Sequence, residues 1–368
     1  MVEENKNLQE HRFPVKGIHH LHLYVGNAKQ SCYYFAHAFG FQPIAYQGLE
    51  TGEREQVSYV LAQGEMRIVL TGTLSNDTEV ARTVQLHGDG VADIALEVND
   101  VEQAFQHAVA AGAEALQSPT IVEDEQGRAK LAVIKTYGDT VHTLIEKMEY
   151  PGLFLPGYEA LEMQWKQAHT GLYTIDHVVA NVERMEEWVA YYEKVMGFDQ
   201  LIHFDDEDIS TEYSALMSKV MHDGGRIKFP INEPAEGKRK SQIQEYLDYY
   251  KGPGVQHIAL LTDDIIQTVR VLREQGVQFL TTPASYYDVL QERVGAIDES
   301  LEELRELHIL VDRDDEGYLL QIFTQPVVDR PTLFFEIIQR KGARGFGEGN
   351  FKALFESIER EQAKRGNL

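Results

Sequence analysis

Two stretches of this chain read alike: IHHLHLYVGNAKQSCYYFAHAFGF at 18–41 and IDHVVANVERMEEWVAYYEKVMGF at 175–198. They align without a gap at an offset of 157, which sets His20 on His177, Asn27 on Arg184, and Gly40-Phe41 on Gly197-Phe198. Each begins as a short apolar strand pattern, continues with apolar residues at helical spacing, and ends in Gly-Phe before another strand pattern. A second pair, DIALEVNDVEQAFQHAVAAGAEAL at 93–116 and HIALLTDDIIQTVRVLREQGVQFL at 257–280, aligns at an offset of 164. It predicts the same order, with a glycine closing each helix.

Strands joined by glycine turns follow, in VLAQGEMRIVL (60–70), SKVMHDGGRIKFPIN (218–232) and LVDRDDEGYLLQIFT (310–324). Internal repetition outranks other sequence signals of architecture. It predicts four strand–helix–strand–strand–strand modules in two pairs, an α+β chain of two domains. We expect a first domain over 14–150, a second over 172–345 and a terminal helix over 346–368. The break falls where YPGLFLPGY interrupts the periodicity. The fourth module exceeds the second by 26 residues, and the excess sits in Tyr286–Leu307, an acidic stretch expected to be helical.

Composition narrows the function. The 368 residues suit two cores, and 43% apolar with 25% charged is a globular profile. A formal charge of −25 argues against binding nucleic acid or anionic lipid, and KRK at 238–240 is too short to reverse that. A single cysteine, Cys32, excludes an intrachain disulfide, a thiolate zinc site and an iron–sulfur cluster. No apolar run reaches the ~18 residues of a membrane span. The opening MVEENKNLQEHRF lacks the apolar core of a signal peptide, so a reduced cytoplasmic setting is expected.

Three side chains stand at matching points of the second pair of modules: His177 and His257, each opening a first strand, and Glu336 on the last strand. A single histidine at a strand start is ordinary among 14; three at equivalent points of repeated units are not. Two imidazoles and a carboxylate on one face of a metal suit non-haem Fe(II), with three positions left for a chelating substrate and O₂. Zinc accepts the same ligands but usually keeps one open position. The first half offers His20, Asp93 and, by aligning HTLIEK with LFFEII, Glu146. That set lacks the second imidazole, and a structural role is expected. Asp176 adjoins His177, but neighbours on a strand face opposite ways, so it is not expected to orient that ring.

With these modules, and with FPINEP, KRKSQIQEYLDYYKGPGVQHIAL, GYLLQIFTQP and RPTLFFEIIQRKGARGFGEGNF, the chain resembles the vicinal oxygen chelate superfamily. Within it, the resemblance to the 4-hydroxyphenylpyruvate dioxygenases covers nearly the whole length; KSQIQ, GVQHIAL and GFGEGNF carry its specificity. It implies two domains of glyoxalase and extradiol-dioxygenase type, each a cupped sheet of paired modules, the first free of metal. It implies Fe(II) on His177, His257 and Glu336, and conversion of 4-hydroxyphenylpyruvate and O₂ to homogentisate and CO₂, a step of tyrosine and phenylalanine breakdown. No residue need be a general acid or base, and no second organic cofactor is implied. A homo-oligomer, dimer or tetramer, is implied by analogy.

Further roles follow from the resemblance one residue at a time. Ser214, Asn232 and Gln242 resemble the polar groups around the substrate ring and its hydroxyl. Gln256 and Gln321 resemble amides near iron and substrate, and with Gln242 they are the catalytic candidates. Pro230, Phe323 and Phe334 resemble the apolar wall. Phe346, Asn350, Phe351 and Leu354 fall in the segment that closes the pocket. Each has a plain alternative: the phenylalanines as core, the amides bonded to backbone or solvent, and GNFKALFESIERE as a packed amphipathic helix with no gating role. Two other activities remain open on the same fold. One is 4-hydroxymandelate synthase, which oxidises the benzylic carbon of the same substrate; Phe323 and Pro230 favour ring attack over it. The other is a glyoxalase-like isomerase or a binding protein.

Overall fold

The computed structural model describes residues 13–163, 165, 167–204, 215–235 and 237–367. The first module is β1 (Val15–Tyr24), α1 (Ala28–Ala38), β2 (Gln42–Gln47), β3 (Gln56–Gln63) and β4 (Met66–Thr73). After α2 (Glu79–His87), the second is β5 (Gly90–Val98), α3 (Val101–Ala110), β6 (Ala115–Asp124), β7 (Gly127–Lys135) and β8 (Val141–Glu146). A short β9 (Glu159–Ala160) precedes the third: β10 (Leu172–Asn181), α4 (Met185–Met196), β11 (Asp199–Phe204), β12 (Ala215–His222) and β13 (Lys228–Ala235). Helix α5 (Gln242–Tyr250) leads to β14 (Gly254–Thr262) and α6 (Ile265–Glu274). The acidic excess forms α7 (Ala284–Asp288), α8 (Leu290–Val294) and α9 (Leu301–Leu307). The fourth module then closes with β15 (Leu310–Arg313), β16 (Tyr318–Phe323) and β17 (Phe334–Lys341), and α10 (Phe351–Lys364) follows.

The strand order is β6-β7-β8-β5-β1-β4-β3-β2-β9 in one sheet and β11-β12-β13-β10-β14-β17-β16-β15 in the other. In every module the first strand pairs with the last in parallel, and two modules meet antiparallel along their first strands, β1 with β5 and β10 with β14. Each sheet therefore places the first strands of its two modules at its centre. Residues far apart in sequence meet there because the repeat puts them there.

Helix starts show how each module locks its helix to its sheet. Asn27, Asp100 and Asp264 cap α1, α3 and α6, each accepting from the N–H three residues on. The last strand adds a second acceptor: Glu146 takes the Val101 N–H at 3.0 Å, Glu233 the Met185 N–H at 2.6 Å and Gln339 the Ile265 N–H at 2.9 Å. Helix α4, whose Arg184 gives no side-chain cap, relies on this bond and on Glu186 and Glu187 in its first turn.

The two sheets share one apolar core. Phe335 of β17 packs against Phe39, the residue that caps the end of α1, ring centroids 5.0 Å apart. The turn at Gly64 lies on the Tyr173 backbone; a Cβ there would sit 2.3 Å from the Tyr173 carbonyl oxygen, and φ is +55°. Glycine meets both demands. Among the described residues no helix is long and apolar enough to cross a membrane.

Candidate metal centre

Strand register brings the three predicted ligands to one face. His177 pairs with Ala259 across β10–β14, and Ala259 with Glu336 across β14–β17. His257 lies two residues before Ala259, on the same side of its strand. Ala259, between the three, is small enough to leave room. All three ligands are buried, and one ligand atom from each lies within 4.8 Å of the others. His177 Nε2 is 3.1 Å, and His257 Nε2 3.4 Å, from Glu336 Oε2. Neither histidine opens its strand as expected: five residues precede His177 on β10 and three precede His257 on β14. The strands run further back because apolar residues on both sides keep them paired.

Asp176 overturns the expectation drawn from strand alternation. Ile175 pairs with Leu260 and His177 with Ala259, so Asp176 is the extra residue of a β-bulge. The bulge turns its carboxylate beside the ring, and Oδ2 accepts from His177 Nδ1 at 2.7 Å. The same device serves the other histidine. His257 pairs with Val179 and Val255 with Ala180, which leaves Gln256 as the extra residue, and its Oε1 accepts from His257 Nδ1 at 2.9 Å. Arg340 holds Asp176 with Nε and Nη2, both at 2.8 Å, and Lys228 approaches at 3.3 Å.

These bonds decide what the trio can bind. With both Nδ1 atoms committed as donors, both Nε2 lone pairs face the Glu336 carboxylate. Three acceptors then point at one another in a buried space, which a cation satisfies. The site suits a divalent metal held by two imidazoles and a carboxylate. The electrostatics show the same demand for positive charge, which without an ion a proton on His177 meets. Burial alone would raise the Glu336 carboxyl, but the two imidazoles hold it down at about 2. Burial likewise opposes the Asp176 charge, yet the bonds from His177 and Arg340 carry its carboxyl well below the usual range. Burial lowers His257, whereas at His177 it is outweighed by Glu336 and Asp176, which raise that imidazole.

The trio forms the floor of a cavity of about 70 Å³. Pro230, Asn232 and Gln242 line it on one side, and Gln256, Gln321, Phe323 and Phe334 on the other. Phe334 stacks on the His257 ring, centroids 4.8 Å apart. Asn232 gives Nδ2 to Asn181 Oδ1 at 3.2 Å, so its own carbonyl oxygen is what it can offer the cavity. Helix α10 covers the opening with Phe351 and Leu354, and Phe346 packs edge-on against His177 at 5.1 Å. The helix is anchored by Ser357 and Arg360 on the Thr281 carbonyl and by Arg365 on Glu245. Small-molecule sites usually span ~300 Å³ or more, so this is a shut cup. A larger groove of about 680 Å³ opens between the domains near Tyr173 and Arg226, but among the described residues it gathers no set of histidine and carboxylate ligands.

Two expectations change, and a third falls outside the described residues. Asn350 does not line the cavity; it is fully buried one layer behind and bonds to Gln321. Ser214 lies outside the described residues; among those described, Ser218, the cross-strand partner of Asn232, lines the cavity. Glu146 is not the counterpart of Glu336. Asp93, at the place of His257, pairs with Val141 as His257 pairs with Phe334, so Thr143 stands where Glu336 does and Glu146 answers to Gln339. Both cap a helix. The first cup instead gathers His20, His22 and Asp93 within 4.8 Å, with Asp93 held by the Thr143 N–H and hydroxyl. Phe154 packs over it, 5.0 Å from His20.

Sequence reasoning also passed over Arg340, Lys228 and the apolar residues Val179, Leu216 and Phe355. Arg340 follows Glu336 by four residues on β17 and could be found as its only strand-mate cation on that face.

Comparison with known proteins fits this geometry. The Glyoxalase/Bleomycin resistance protein/Dioxygenase superfamily matches residues 17–135 and 174–322, one match per sheet. A 4-hydroxyphenylpyruvate dioxygenase of Yarrowia lipolytica is 48% identical over 96% of this chain and 94% of its own. One of Caenorhabditis elegans is 49% identical over 95% and 92%. A solved triple mutant of 4-hydroxymandelate synthase from Streptomyces coelicolor superposes with a TM-score of 0.86 at 39% identity, covering 95% of this chain and 99% of that one. The chain belongs to the 4-hydroxyphenylpyruvate dioxygenase family of the glyoxalase/bleomycin resistance protein/dioxygenase superfamily.

Proposed function

We propose that this chain is an Fe(II)-dependent 4-hydroxyphenylpyruvate dioxygenase, which converts its substrate and O₂ to homogentisate and CO₂. The observation that carries the reading is the inward convergence of His177 Nε2, His257 Nε2 and the Glu336 carboxylate under an aromatic cavity. Those three would hold the iron, which when bound supplies the redox chemistry with O₂ and a two-point seat for the 2-oxo acid.

The chain's own residues do the rest. Asp176 and Gln256 hold the two imidazoles in the tautomer that leaves Nε2 free. Phe323 and Phe334 bury the substrate ring, and Phe334 couples its position to His257. The Asn232 carbonyl accepts the phenol hydroxyl, with Ser218 beside it. Gln242 adds a neutral polar contact that leaves the phenol uncharged, and Gln321 offers its amide at the oxo-acid end. Helix α10 shuts the cup against water during turnover and opens for exchange. The first domain, with Thr143 in place of the carboxylate ligand, serves as scaffold. We place the enzyme in the cytoplasm as a homo-oligomer, dimer or tetramer.

An oxygen electrode with iron-loaded protein, ascorbate and 4-hydroxyphenylpyruvate tests the reading, followed by product identification. We expect O₂ uptake, CO₂ release and homogentisate. 4-Hydroxymandelate would reassign the chain to the synthase reaction of its solved relative. No uptake by iron-loaded protein would remove the proposal. His177→Ala should lose iron and turnover together.

A further inference from the structure

Gln321 faces the cavity, and the direction of its amide is set from outside it. Asn350 donates Nδ2 to Gln321 Oε1 at 3.2 Å. Asn350 Oδ1 accepts from Tyr286 Oη at 2.6 Å and from Arg293 Nη2 at 3.2 Å. Arg293 Nη2 also stands 2.6 Å from Tyr286 Oη and 2.7 Å from the Val311 carbonyl, so its two hydrogens are shared among three acceptors. Its Nη1 donates to the Gly349 carbonyl and stands 3.7 Å from Asp312. Tyr286 Oη takes the Val311 N–H at 2.8 Å, so that bond and Arg293 fill both its lone pairs, and its one hydrogen is shared between Asn350 Oδ1 and the Val311 carbonyl at 2.8 Å. Its phenol is pushed up to about 12 by burial, so it keeps its proton to give.

The polarity of this chain of bonds can run only one way. A guanidinium has donors and no acceptor. Asn350 must therefore turn its oxygen to Arg293 and Tyr286, because the reverse would set its NH₂ against a guanidinium. Its NH₂ then faces Gln321, which must receive on Oε1. What Gln321 has left for the cavity is Nε2–H. Tyr286 and Arg293 lie on α7 and α8, in the insertion that the fourth module has and the second lacks: there α3 ends at Ala110 and β6 starts at Ala115.

We propose that Arg293, with Tyr286 as its relay, is a positioning residue: it fixes the amide polarity of Asn350 and Gln321, so that Gln321 presents an N–H donor to the bound substrate. The proposal rests on the reading that this cavity takes a 2-oxo acid. The carboxylate and keto oxygens of such a substrate accept hydrogen bonds, and an amide carbonyl facing them would repel. The helical insertion is thus part of the site, one layer removed.

The test uses the full chain loaded with Fe(II). Oxygen-uptake kinetics and anaerobic binding of 4-hydroxyphenylpyruvate are measured for wild type, Arg293→Met, Arg293→Lys, Gln321→Glu and the Arg293→Met/Gln321→Glu double variant, with iron content and Tm beside them. We expect Arg293→Met to lose tenfold or more in kcat/KM, with weaker anaerobic binding and with iron and Tm near wild type. Arg293→Lys, still a pure donor, should recover at least a third of the activity. The double variant should lose no more than the worse single, since both act on one amide. Arg293→Met within twofold of wild type, or losses that multiply, would overturn the proposal. Should Arg293→Met fail to fold, Asn350→Asp decides: it still accepts from Arg293 and Tyr286 but has no donor for Gln321. A tenfold loss supports the relay, and wild-type kcat/KM overturns it. Wild-type protein that neither binds nor consumes the substrate sinks the activity reading itself.

Discussion

Asp176 and His177 are consecutive residues whose side chains bond to each other, Oδ2 accepting from Nδ1 at 2.7 Å. Regular strand geometry forbids this, and the bulge at Asp176 permits it. Gln256 and His257 repeat the arrangement across the seam. The pairing has a consequence for metal affinity. Asp176→Asn keeps the volume but loses the charge that stabilises the His177 Nδ1 proton and that neutralises Arg340 and Lys228. We expect iron affinity to fall ~10–100-fold, the usual effect of removing such a partner. Competition against a chelator of known affinity measures it, and unchanged affinity would deny Asp176 this part.

Metal binding should also stabilise the fold. The trio exists only when β10, β14 and β17 are assembled, so the ion binds the native state alone. At a hundredfold excess over Kd this adds ~2.7 kcal/mol. For a domain of this size that is a rise of ~5–10 °C in Tm. Thermal melts with Fe(II) and with EDTA should show the gap in wild type and none in His257→Ala. An equal rise in His257→Ala would place the ion elsewhere, and the His20, His22 and Asp93 cluster would be the place to look.

How far the sequence could be read depended on the range of the interactions involved. The strand–helix order and the insertion were legible because apolar periodicity and glycine positions are local. Ligands His177, His257 and Glu336 were legible because a repeat places them at equivalent points. The bulges were not, since one extra residue leaves no trace in composition or period. HTLIEK could slide three residues against LFFEII because both are mostly apolar, and that slip set Glu146 opposite Glu336, though the structural role expected of its set is the one it has, as a helix cap. EYSALMSKV contains two serines, and it is the pairing of Ser218 with Asn232 across β12–β13 that brings Ser218 to the cavity, a register that the sequence does not show. The closing segment suggests a pocket position for Asn350; its partners besides Gln321 come from α7 and α8, contacts of long sequence separation that no local pattern encodes.

Gly347 tests how closely the turn before α10 fits the cavity. Its φ is +79°, and an added Cβ would lie 1.9 Å from Gln321 Oε1. Gly347→Ala should therefore carry ~1–2 kcal/mol of backbone strain and also displace the Gln321 amide. Gly366, with φ +74° and open space around it, isolates the first effect. We expect Gly366→Ala to keep full turnover. Gly347→Ala should lose at least tenfold in kcat/KM with iron still bound. Equal activity in the two variants would show that Gln321 tolerates displacement.

The domain junction should add to acid sensitivity through His142, one of several buried histidines whose pKa burial lowers. This ring is fully buried, gives Nδ1 to the Ile94 carbonyl at 2.8 Å and meets Tyr192 Oη with Nε2 at 2.9 Å. Burial lowers its pKa to about 4, partly opposed by the Ile94 bond. An unfolded histidine titrates near 6.5, so between pH 6.5 and 4 the unfolded chain holds a proton that the folded chain refuses. The stability His142 contributes is complete above pH 6.5 and is lost as pH falls through that window. One proton gives a slope of ~1.4 kcal/mol per pH unit, ~3 kcal/mol across the window. His142→Gln can keep a donor to Ile94 and an acceptor for the Tyr192 hydroxyl, yet it does not titrate. Urea unfolding at pH 7, 6, 5 and 4.5 should show the variant's stability falling less steeply than wild type by about one proton. Parallel curves would mean that His142 takes up its proton inside the folded protein.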